Sequence, residues 1–141
     1  MEQPYIYILD PYPQQAPEHT RLYPFFEFLR EGRLTTSRCK KCGILPWPPR
    51  VVCPECMSDD LEWFDLPREG NIYVYSVQET GLPPGYDAPV VFAVIDLRNG
   101  VRLLSVIEDS DISEVKNGAE VEFIVKKVSY DRVMPAFRLK R

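Results

Sequence analysis

Four cysteines form two tight pairs, Cys39-Lys-Lys-Cys42 and Cys53-Pro-Glu-Cys56, with ten residues between the pairs. A two-residue spacer lets a loop turn back so that both sulfurs face one point, and two such loops complete the tetrahedral sulfur shell that zinc accepts. Four thiolates fill all four positions and leave none for a reacting water, so the pattern implies a structural metal. Two disulfides are the alternative reading, but the short spacers suit chelation. Iron in a rubredoxin-like shell would use the same ligands, and ligand type alone does not separate it from zinc.

Other candidates for chemistry are few. Catalysis needs an activated nucleophile, an acid/base pair or an open metal site. The thiols are taken by the metal, and His19, the sole histidine, lies in a proline-rich stretch. Asp109 and Asp111 flank Ser110, and Asp59 and Asp60 are adjacent, but neither cluster has the apolar flanks that would raise a carboxyl pKa. No Gly-rich phosphate loop or nucleophile elbow occurs. The expectation is no catalytic residue and no enzyme acting alone.

The elements that must carry the cysteines can be read from patterning. The chain has 141 residues, 45% of them hydrophobic, and a formal charge of -4. That balance disfavours anionic partners, nucleic acid and membrane surfaces included. No apolar run approaches the roughly 20 residues of a spanning helix, and the Met-Glu-Gln-Pro start lacks a positive leader, so the expected location is the cytoplasm. Of 14 prolines, 13 precede position 90, which makes the first two thirds rich in loops. Residues 1–19 read as an extended arm able to lay Tyr5, Tyr7 and Tyr12 on another surface.

Residues 20–33 read as a helix capped by Thr20 and stopped by Gly32, with Leu22, Phe25, Phe26 and Leu29 on one face. That stripe suits either the core or a docking surface. Residues 34–67 hold the knuckles, with Trp47, Trp63 and Phe64 as expected cover for the sulfurs. Residues 68–141 read as five strands: Asn71 to Gln78, Pro89 to Leu97, Val101 to Ile107, Ala119 to Ser129 and Met134 to Lys140. Asn99-Gly100 supplies a hairpin turn, and a short helical turn falls between the third and fourth strands. The expected fold is mainly β: an N-terminal helix, a rubredoxin-like zinc ribbon, then a five-stranded OB-fold barrel.

That combination also occurs in binders of single-stranded nucleic acid, the alternative function, with Tyr73, Tyr75, Phe92 and Phe123 as stacking faces if they are not barrel core. From Lys126 onward six cations face Asp131 alone, a local balance of +5. A third reading is a rubredoxin-like electron carrier.

Taken in order, Pro24-Phe25-Phe26, Glu31-Gly32-Arg33-Leu34, Arg38-Cys39, Cys42-Gly43, Pro48-Pro49-Arg50, Cys53-Pro54-Glu55-Cys56, Leu61-Glu62-Trp63 and Gly70 resemble one family. It is the acyl-CoA-associated OB-fold family with an N-terminal rubredoxin-like zinc ribbon. The resemblance runs from about Tyr23 to the C-terminus. It implies a non-catalytic partner of thiolase-like enzymes, in some relatives together with hydroxymethylglutaryl-CoA synthase, helping to hold coenzyme A or acyl-CoA at a shared interface. Only Cys39, Cys42, Cys53 and Cys56 fall on the family's functional positions, as ligands of structural zinc. The CoA-contacting residues stay unknown; Lys126, Arg138, Lys140 and Arg141 are candidates for its phosphates because charge-assisted contacts favour such anions.

Overall fold

The computed structural model describes residues 11–83 and 86–141. A short helix, α1 (Tyr23–Arg30), leads into a two-stranded antiparallel ribbon of β1 (Thr35–Cys39) and β2 (Leu61–Asp65). Five strands follow: β3 (Glu69–Gln78), β4 (Val90–Leu97), β5 (Arg102–Ile107), β6 (Glu120–Val128) and β7 (Arg132–Leu139), with a 3-10 turn at Ile112–Glu114 before β6. They close into a barrel in the order β3-β4-β5-β7-β6, the OB arrangement.

The barrel interior follows from two-residue alternation. Val91, Ala93, Ile95 and Leu97 of β4 point inward beside Leu103 and Ile107 of β5, and meet Val121, Phe123, Val133 and Phe137 from β6 and β7. Pro135 sits inside β7 without breaking it. That strand pairs with β6 along its whole length but with β5 only at Ile107 and Phe137, so the missing N–H is not needed by the ladder. Gly100 turns the β4–β5 hairpin at φ +88°, and the Leu97 N–H donates to the Val101 carbonyl.

The helix begins later than its pattern suggests. Thr20 is not the cap: its Oγ1 accepts from the Leu22 N–H, and α1 starts at Tyr23 with Pro24 in the first turn, where an amide has no helical partner to lose. Gly32 lies just past the end at φ +80°. Phe25, Phe26 and Leu29 are buried in the same cluster as the barrel interior, together with Leu34 and Leu66. The apolar stripe is therefore core, not a docking surface.

The tryptophans pack on the helix. Trp47 meets Phe25 edge-on at 5.8 Å, and Trp63 meets Phe28 at the same separation, so both clamp the helix to the ribbon. Phe64 lies under the Arg38 guanidinium. At the ribbon base the Leu66 N–H donates to the Leu34 carbonyl, and Arg33 pairs with Asp65 at 2.8 Å.

The described part of the arm also packs on its own protein. The buried Gln15 amide donates to the Val133 carbonyl at 2.6 Å and accepts the Val133 N–H at 3.1 Å, as a neighbouring strand would. Arg132 donates to the carbonyls of Tyr12 and Pro13. Tyr12 lies 5.7 Å from Tyr86. Tyr5 and Tyr7 fall outside the described residues.

Candidate metal centre

The two knuckles are near copies in three dimensions. In the first, the Gly43 N–H donates to the Cys39 carbonyl at 2.9 Å and the Cys39 N–H to the Ile44 carbonyl at 3.1 Å. In the second, Met57 N–H donates to Cys53 at 3.0 Å and Cys53 N–H to Ser58 at 2.8 Å. β1 ends at Cys39 and pairs it with Leu61, which anchors the first knuckle to the ribbon. The Ser37 hydroxyl accepts the Arg50 N–H at 2.7 Å and Thr36 Oγ1 donates to the Pro46 carbonyl, so the proline-rich connector is fastened to β1 before it delivers Cys53.

The four sulfurs lie within 4.8 Å of one another. Cys39 to Cys56 and Cys42 to Cys53 are each 3.5 Å apart. A zinc ion bound at ~2.3 Å to each sulfur needs edges of ~3.8 Å, so the group fits the ion. Cys39 and Cys53 are fully buried and Cys42 is exposed.

Local amides already bias the thiols. Cys39 Sγ accepts the Cys42 N–H at 3.4 Å, and this amide is the main reason its pKa falls to about 6. The Cys56 amide lowers Cys53 in the same way. At Cys42 the Ile44 amide pulls down most strongly, but desolvation and hydrogen bonding to the Cys53, Cys39 and Cys56 sulfurs outweigh it and push the thiol up to about 12. Cys56 is also raised, by desolvation and by Cys39 and Cys53, against the Ser58 amide. A bound cation would displace the protons these sulfurs share.

Among the remaining sequence candidates, Asp111, Asp109 and Asp60 have side-chain partners. His19 is exposed. Asp111 accepts the Ser113 hydroxyl at 2.8 Å and the Ser113 N–H at 3.0 Å, which lowers its pKa and caps the 3-10 turn. Asp109 faces Arg138 and Arg141 at 3.6 and 3.8 Å, and Asp60 faces Lys40. Each cation proposed for phosphates meets a carboxylate: Lys126 with Glu108 at 2.6 Å, Arg138 with Glu122 at 2.8 Å, Lys140 with Glu69 at 2.9 Å, and Arg141 with Asp109. Tyr73, Tyr75, Phe92 and Phe123 do not form one stacking face. Phe123 is interior, and Phe92 packs towards Tyr86 at 6.0 Å, whereas both tyrosines are exposed.

One recess has no signature in the sequence. A cavity of about 360 Å³ opens between the β3–β4 loop and the end of β6, lined among others by Tyr12, Tyr86, Glu108, Lys126 and Lys127. It is built from four chain segments, and no local motif announces it.

The sulfur site, ribbon and barrel define a zinc-ribbon OB-fold protein. Residues 26–62 match the rubredoxin-like zinc ribbon domain described for ChsH2, and residues 63–126 match the ChsH2 C-terminal OB-fold domain. The chain belongs to this ChsH2-type family. A "DUF35 domain-containing scaffold protein" of Methanothermobacter thermautotrophicus is 39% identical over 97 residues, covering 67% of this chain and 73% of that protein. The "Benzoylsuccinyl-CoA thiolase subunit BbsA" of Thauera aromatica is 33% identical over 124 residues, 85% of each chain. A solved structure titled "Ltp2-ChsH2(DUF35) aldolase" superimposes with a TM-score of 0.74 at 27% identity, over 88% of this chain and 98% of that one.

Proposed function

We propose that the chain is a non-catalytic accessory or scaffold subunit that docks on a thiolase-like acyl-CoA enzyme and helps to hold CoA thioesters. An acetoacetyl-CoA thiolase working with hydroxymethylglutaryl-CoA synthase is one such system. The observation that carries the proposal is the closed sulfur site. Cys39, Cys42, Cys53 and Cys56 can enclose a zinc ion on all sides, so the ion would crosslink the knuckles and supply no Lewis-acid position. Among the described residues, no other metal-ligating cluster accompanies it. The names of the relatives, a scaffold protein and a thiolase subunit, support the same reading.

The working organisation is an arm at 1–19, a segment at 20–33 that contains α1, a zinc ribbon at 34–67 and an OB-fold at 68–141. A zinc site of four thiolates needs its cysteines reduced, which suits a reducing compartment and a cytoplasmic role. No helix among the described residues is long and apolar enough to cross a membrane.

The test is co-expression with a thiolase. A stable complex whose acyl-transfer activity depends on this subunit is the expected result. Failure to bind, together with unchanged thiolase activity, would overturn the proposal, as would thioester turnover by the isolated chain.

A further inference from the structure

The far half of β3 leaves the barrel. At residues 70 and 71 this strand pairs with β4 on one side and β6 on the other, and Ile72 still exchanges backbone bonds with Gly118 and Ala119. The register then slips between Ile72 and Val74, and such a bulge bends a strand. Beyond it, among the described residues, positions 74–78 pair with β4 alone. One row of backbone N–H and C=O groups there faces no strand.

Side-chain exposure agrees with an open edge. Tyr73, Val74, Tyr75 and Val77 are 50%, 43%, 38% and 37% exposed. Val74 sits beside Val94 on the outer face and Tyr75 beside Ala93 on the inner one, so both faces are open. Leu104, paired with Val94 on β5, extends the outer patch at 65% exposure. Residues 71–78 contain no charge and no proline, two of the devices that normally keep strand edges apart.

We propose that this edge is a homodimer interface, in which residues 73–79 pair antiparallel with the same segment of a second copy about a two-fold axis through Ser76. An uncharged edge meets itself without repulsion in a chain whose net charge is -4. The register is self-complementary: Tyr75 faces Val77 of the second copy and Val77 faces Tyr75, an aromatic–β-branched pair on each side of the axis. Val74 faces Gln78. Two β3-β4-β5 sheets become one six-stranded sheet.

The inference is independent of the accessory role. Sedimentation equilibrium of the full zinc-loaded chain should give a mass rising with concentration from 16.4 kDa towards twice that value. Val77→Glu and Tyr75→Lys should each weaken dimerisation at least tenfold. The double variant should restore it, because the introduced ammonium of one copy then faces the introduced carboxylate of the other across the axis. Circular dichroism checks that each variant folds, and two independent single variants guard against loss of either one. A wild-type chain that stays monomeric at millimolar concentration, or a dimer indifferent to both single changes, would overturn the proposal. Weakened singles without rescue in the double would reject the Ser76-centred register and the proposal with it.

Discussion

Gly43 and Met57 occupy equivalent positions, each directly after the second cysteine of a knuckle and each with a left-handed backbone, φ +79° and +64°. The knuckle turn imposes that conformation, because the residue must donate its N–H back to the first cysteine's carbonyl. Glycine adopts it freely and methionine at a cost. Met57 is 73% exposed, so its side chain recovers little by packing.

Met57→Gly should therefore stabilise the zinc-loaded protein by about 0.5–1 kcal/mol. Gly43→Ala should destabilise it by about 1 kcal/mol. Urea titrations of both variants against the wild type measure the difference, and opposite signs are the expected outcome.

The purified protein should be colourless and carry one zinc per chain by elemental analysis. Replacing buried Cys53 by Ser should abolish tight binding, and a chelator should lower the melting temperature of the wild type. Because protons compete for the sulfurs, the chelator should act faster as pH falls. A red protein containing iron would support the electron-carrier reading instead.

Gly70 crosses β4 where a side chain has no room. A Cβ there would overlap the Asp96 carbonyl oxygen and lie 3.0 Å from Ile95 Cγ2, both in a closed barrel wall. Gly70→Ala should cost about 2–3 kcal/mol, read from denaturant melts, with the metal content unchanged.

Glu69 joins the first barrel strand to the end of the last. The Lys140 hydrogen bond, aided by that charge and by Arg98, holds the Glu69 carboxyl below its ordinary value. A depressed folded value contributes stability above the unfolded carboxylate pKa of about 4.3, and that contribution disappears as pH falls through the folded value. Stability measured from pH 7 to pH 2 should decline over that window, and Glu69→Gln should flatten the decline.

The spacing of the cysteines, the apolar run of β4 and the alternation of Val121, Phe123 and Val125 in β6 determined most of the fold, because all are local: two residues set a knuckle, a short apolar run sets a buried strand, and period two sets a buried face. The Asn99-Gly100 turn belongs with them. Contacts between distant segments decided the rest. Leu22, Phe25, Phe26 and Leu29 announce an apolar face, but only assembly shows that three of them seal the barrel while Leu22 remains partly exposed. Lys126, Arg138, Lys140 and Arg141 look like a basic run until folding brings Glu108, Glu122, Glu69 and Asp109 beside them. Tyr73 and Tyr75 read as strand interior, yet they are exposed because β6 parts from β3 at the bulge. Composition and periodicity record which side of an element is apolar; what lies against that side depends on where the other elements end.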